Sequence, residues 1–117
     1  LFKEHRLLCK NIQNDFKRLK NTFKEHKIIV EVETLKEAQE FALLGADILQ
    51  CERLSAKELS RVVKEIKTRF PHILLSATGG IHIKNVEEFA SSGVDMIVST
   101  AMYRAPICDV KAQFHKD

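Results

Sequence analysis

The chain has 117 residues, 44% of them hydrophobic and 30% charged, with a formal net charge of +3. These values predict one globular, soluble domain with a modest core, and the mild, sign-interleaved charge makes no case for nucleic-acid or membrane-surface partners. No apolar stretch approaches the roughly 18 residues of a membrane span, and no signal-peptide layout opens the chain.

In chain order, the opening residues through His5 and Arg6 read as a first strand, and Leu1 in place of Met predicts a piece of a longer protein. Residues 8–25 place Leu8, Ile12, Phe16, Leu19 and Phe23 at steps of three or four, a helix pattern. The basic stretch FKRLKNTFKEHK at 16–27 is broken by Glu25 and by those apolar residues, so it reads as a solvated helix face. KIIVEVE (27–33) is a β-branched strand. Thr34 with Glu37 forms a capping box that starts a helix ended by Gly45. ADILQCE (46–52) is the next strand. Ser55 with Glu58 repeats the box, and Leu59, Val62, Val63, Ile66 and Phe70 form a stripe that stops at Pro71. A strand through HILLSAT, a helix over 82–92 and a strand over 95–101 follow.

The polar strand ends Glu33, Glu52, Thr78 and Thr100 recur once per βα unit, which predicts an α/β chain with a parallel sheet. Parallel βα units gather all their C-terminal strand ends on one rim, where such folds place their chemistry. A full (β/α)₈ barrel takes about 250 residues, so this chain is expected to be a partial barrel of TIM-like type. Its unpaired sheet edges then require upstream sequence or a partner chain.

Glu33 and Glu52 end neighbouring strands. A carboxylate there needs either an ion pair, for which Arg53 is available, or Mg²⁺ or sugar hydroxyls. Glu31 shares Glu33's face one step deeper, lining the same interior or pairing with His5 or Arg6. Gly79 and Gly80, two of only four glycines, serve either as a plain turn or as a backbone cradle for phosphate. Thr100 and Ala101 could hold the same phosphate from the next strand end. His5 and Arg6 form either an anion site or an exposed basic pair. Tyr103 and Arg104 either touch substrate or are loop residues without a role. His26, His72, His82 and His115 have no metal-ligand spacing and read as surface residues. Cys9, Cys51 and Cys108 are odd in number and form no CxxC pair, arguing for a reducing, cytoplasmic setting, with Cys51 in the core.

The segments VEVETLKEA, GADILQCERLSAKEL, LLSATGGIHIKNVEEFASSGVDMIVSTAMYRAP and DVKAQF resemble, in this order and over nearly the whole chain, the C-terminal barrel of the quinolinate phosphoribosyltransferase family, also called nicotinate-nucleotide pyrophosphorylases. LFKEHR, DILQ followed by Glu52-Arg53, and Tyr103 with AP before DV resemble the family's ModD type, associated with molybdate transport operons. The resemblance implies transfer of phosphoribose from phosphoribosyl pyrophosphate, with Mg²⁺, to a small aromatic acid such as quinolinate. It also implies a homodimer with a separate N-terminal domain, residues 1–117 being the C-terminal part of the barrel. By the same resemblance Glu33 and Glu52 face ribose and metal, and Thr78, Gly79 and Gly80 match a Ser-Gly-Gly phosphate loop. Lys3 takes the place of a substrate-binding lysine if a one-residue gap is allowed; otherwise Phe2 does. Thr100 stands where the family has glycine and Arg104 where it has histidine, departures that weaken quinolinate as the acceptor. A non-catalytic ligand-binding protein and another phosphate-binding lyase or synthase barrel are the other two readings.

Overall fold

The computed structural model describes residues 1–116. Strands β1 (Ile29–Val32), β2 (Ile48–Glu52), β3 (Leu74–Thr78) and β4 (Met96–Ile97) form one parallel sheet in the order β1-β2-β3-β4. Helices α1 (Lys3–Leu7) and α2 (Ile12–Thr22) precede it, and α3 (Leu35–Leu44), α4 (Ala56–Arg69) and α5 (Val86–Ala90) link successive strands. Sheet order equals chain order, as repeated βα units require. No helix among the described residues is long and apolar enough to cross a membrane.

The two faces of the sheet are chemically different. Val30, Val32, Leu49, Cys51, Leu75 and Ala77 point to one face and are fully buried with Phe16, Phe41, Leu59, Val62, Ile66 and Phe89. The stripe read from α4's spacing is this packed surface. Burial pushes the Cys51 thiol up to about 12, consistent with a core residue and not a nucleophile. The opposite face carries three tiers set by the strand register: Ile29, Ile48 and Leu74; then Glu31, Gln50, Ser76 and Met96; then Glu52 with Thr78. Parallel sheets are normally covered on both sides, yet here Ile29 and Leu74 remain 43% and 40% exposed. This second face is only partly covered, with Ser76 alone among its central residues buried.

Four sequence expectations are corrected. The helix read over 8–25 spans only Ile12–Thr22, since the Asn11 side chain caps it by accepting from Asn14 N, and Leu8 and Phe23 stay exposed. Residues 3–7 are helix α1, not strand; only Leu1 pairs as a strand residue, its amino group donating to Ile29 O and its carbonyl accepting from Glu31 N. His5 Nδ1 accepts from Phe2 N at 3.2 Å and turns the chain into the helix. The last strand shrinks from 95–101 to Met96–Ile97, because the Ser99 hydroxyl takes Ile81 O and Ala101 N and diverts the chain into a 3₁₀ turn over Ala101–Arg104. The helix expected over 82–92 is only Val86–Ala90, since the Asn85 side chain captures His82 N and Gly80 O and holds 82–85 as a turn.

The caps are unequal. Ser55 and Glu58 form the complete box, with the Ser55 hydroxyl and N–H holding the Glu58 carboxyl below its ordinary range. Thr34 Oγ1 caps α3 through Glu37 N, but the Glu37 carboxylate reaches Glu33 N at 2.8 Å instead of Thr34, so that box is half-formed.

Candidate functional site

The C-terminal strand ends line a cavity of about 790 Å³ bounded by Glu52, Thr78, Gly79, Gly80, Thr100, Ala101 and Arg104, together with residues of the 81–83 loop and the 3₁₀ turn. Seven of the residues singled out from sequence therefore meet on one rim. Glu33, Lys3 and His5 do not line this cavity; they lie at and beyond the β1 end of the sheet.

Gly79 and Gly80 adopt φ of +90° and +71°. Their N–H groups, with that of Ile81, have no protein acceptor among the described residues. Backbone donors left open beside a cavity suit an anion. The loop is held in shape from behind: Asn85 Nδ2 donates to Gly80 O at 3.1 Å and Ser99 Oγ to Ile81 O at 2.6 Å. Sequence reasoning missed both residues, since each binds main-chain groups and carries no motif. Ala101 lines the cavity, but its N–H already donates to Ser99 Oγ.

Glu52 is opposite Thr78 in the register and forms an ion pair with Arg53 Nε at 3.1 Å. Arg53 is the one non-glycine residue with positive φ (54°) among the described residues, a conformation costing about 1–2 kcal/mol. Its N–H donates to Thr78 O at 3.0 Å, which helps hold that geometry.

At the β1 end, Lys3 Nζ contacts Glu33 Oε2 at 2.6 Å, and this bond holds the Glu33 carboxyl below its ordinary value and the Lys3 amine above its own. Arg6 does not pair with Glu31. It binds Glu37 Oε1 at 3.1 Å and lies over the Phe41 ring, with Nε and Nη2 buried and lacking a partner. Glu31 has no ion-pair partner among the described residues; burial, then the nearby Glu52, Glu4 and Glu33 carboxylates, hold its carboxyl above the ordinary carboxylate range. His5 is occupied as the turn-forming side chain of α1.

No cluster of three or more His, Cys, Asp or Glu that could hold a metal occurs among the described residues. Mg²⁺ characteristically takes one or two carboxylates and completes its shell with water and substrate oxygens. Glu52 offers one such carboxylate on the cavity wall, whereas Glu33 lies outside the cavity in its ion pair with Lys3.

The family model described as "Quinolinate phosphoribosyl transferase, C-terminal domain" matches residues 1–113. ModD of Escherichia coli O157:H7 is 28% identical over 114 residues, covering 95% of this chain and 40% of that protein. The nicotinate-nucleotide pyrophosphorylase [carboxylating] of Rattus norvegicus is 28% identical over 92 residues, 78% of this chain and 31% of its own length. The solved nicotinate-nucleotide pyrophosphorylase of Francisella tularensis superposes with a TM-score of 0.74 at 22% identity, over 83% of this chain and 34% of that one, a likeness of fold. This chain thus spans well under half the length of these relatives. With a parallel βα sheet, an open Gly-Gly loop and a match running through nearly every residue, the chain belongs to the quinolinate phosphoribosyltransferase family, as its C-terminal domain.

Proposed function

We propose that the protein containing this chain is a phosphoribosyltransferase of the pyrophosphorylase type, binding phosphoribosyl pyrophosphate and an aromatic carboxylic acid such as quinolinate, in the cytoplasm and as a homodimer. The observation that carries this reading is that Gly79, Gly80 and Ile81, whose N–H groups have no protein acceptor among the described residues, line one cavity with Glu52. The loop N–H groups bind a phosphate. Glu52 orients the sugar and, at the transition state, its negative charge faces the positive charge growing on the ribose ring. Glu33, kept ionised by Lys3, adds negative charge from the neighbouring β1 end, outside the cavity. Glu52, with Glu33 at the neighbouring strand end, would be the carboxylates to hold a Mg²⁺, which would supply positive charge for the pyrophosphate leaving group. Lys3 and Arg104 are the candidate contacts for the acceptor's carboxylates, Lys3 beside Glu33 and Arg104 on the cavity wall. His5, engaged at α1, has the weakest support of the three.

The test is calorimetric titration of phosphoribosyl pyrophosphate with and without Mg²⁺, against inorganic phosphate. Binding that depends on Mg²⁺ and far exceeds that of phosphate supports the reading; binding no better than phosphate overturns it. In the full-length protein, Glu33→Ala should lower turnover about 100-fold or more. The departures from the family's residues at Phe2, Thr100 and Arg104 favour a second reading, a non-catalytic ligand-binding protein that keeps the fold. Release of pyrophosphate with any pyridine carboxylate would exclude it.

A further inference from the structure

The loop over residues 78–82 is saturated in its carbonyls and open in its N–H groups. Thr78 O accepts from Arg53 N, Gly80 O from Asn85 Nδ2, Ile81 O from Ser99 Oγ, and His82 O from the N–H groups of Asn85 and Val86. The N–H groups of Gly79, Gly80 and Ile81 have no acceptor among the described residues. Because a trans peptide is planar, its C=O and N–H point in opposite directions, so a bond that fixes one fixes the other. Asn85 Nδ2 on Gly80 O therefore aims the Ile81 N–H away from Asn85; Ile81 lines the cavity and Asn85 does not. The next peptide unit is held at both ends, Ile81 O by Ser99 at 2.6 Å and His82 N by Asn85 Oδ1 at 2.8 Å. Ser99 Oγ also accepts from Ala101 N at 3.1 Å, which ties the loop to the 3₁₀ turn that lines the same cavity. Without these bonds, two glycines could let the peptide units turn over, putting carbonyl oxygens where N–H groups now stand and repelling an anion.

Resting on the phosphate reading of the cavity, we propose that Asn85 and Ser99 are positioning residues of this site, holding the 80–81 and 81–82 peptide units so that the loop donors are free and aligned before an anion arrives. Both act through the backbone. Their contribution is the ordering of the loop, which an unrestrained loop would have to meet out of its binding energy.

The experiment is calorimetric titration of inorganic phosphate into the full chain and into Asn85→Ala, Ser99→Ala, Ser99→Thr and Asp95→Ala, each well below its melting temperature. Asp95→Ala weakens the opposite end of the sheet, so it separates lost stability from lost loop order. The expected result is phosphate affinity about three- to tenfold weaker in each of Asn85→Ala and Ser99→Ala. Ser99→Thr, which keeps the hydroxyl, should bind close to wild type, and Asp95→Ala should melt lower yet bind as wild type does. Wild-type affinity in both Asn85→Ala and Ser99→Ala overturns the inference, as does an equal loss in Asp95→Ala or in Ser99→Thr; these outcomes leave the proposed function standing. Failure of the wild-type chain to bind phosphate overturns the phosphate reading of the cavity, and this inference with it.

Discussion

Gly79 and Gly80 were legible in the sequence as a pair, but the structure distinguishes them. A methyl at Gly79 meets Arg53 Cγ at 2.7 Å and Glu52 Oε1 at 3.0 Å, whereas at Gly80 nothing lies within 4 Å. Both substitutions incur left-handed strain of about 1–2 kcal/mol, so Gly79→Ala should lower stability more than Gly80→Ala in urea denaturation. Asp47 and Asp95 were not recognised from sequence, although each follows a glycine by two positions and precedes a strand. Asp47 accepts from Ile28 N at 2.8 Å and Asp95 from Leu75 N at 2.7 Å, so each ties its strand's start to the neighbouring strand. Lys20 and Lys67 pair with them. Burial pushes the Asp95 carboxyl up, but Lys67 and the Leu75 N–H together outweigh it and hold the group below its ordinary value. A lowered native value means that its stabilisation is complete above the unfolded value near 3.9 and drains away as pH falls through the native one. Asp95→Ala should therefore cost about 1–3 kcal/mol at neutral pH by orphaning the Leu75 N–H. Denaturation curves should show that difference narrowing at low pH. The pattern was missed because each bond joins residues 19 or 20 positions apart, beyond any local periodicity.

Helices with long apolar stripes were the most legible elements, because their burial is written in spacing. In α4, Leu59, Val62 and Ile66 are buried to about 1% exposure or less. Ser55→Ala should cost about 1 kcal/mol through loss of its cap, visible as a lower urea midpoint at unchanged slope. The short elements were misread for one reason: polar side chains took backbone groups that the pattern assigned to helix or ladder. His5 did so at α1, Asn85 before α5 and Ser99 after β4. The Glu37 carboxylate, expected to cap its own helix, instead joins Arg6 to the Glu33 N–H. Glu37→Gln should thus loosen the β1 end, and hydrogen exchange at Glu33 N–H should quicken while α4 amides stay protected.

Among the described residues the sheet has one fully buried face and one partly exposed face, and adjacent residues of β3 report on each. Leu75 is fully buried and Leu74 is 40% exposed. Leu75→Ala should cost about 2–5 kcal/mol, while Leu74→Ala should cost well under half as much; equal losses in denaturant titration would contradict this topology. The sequence by itself determined the α/β class, the parallel order, the core stripe and the gathering of Glu52, Thr78, Gly79, Gly80 and Thr100 on one rim. These follow from period, turn residues and strand-end polarity, all local properties of the chain. Only the tertiary structure decided which partners those residues take: Lys3 on Glu33, Arg6 on Glu37, Arg53 on Glu52 and over Gly79. Such pairings depend on distances between segments remote in sequence and on which polar group reaches a buried donor or acceptor first, and no periodicity in the chain encodes that competition.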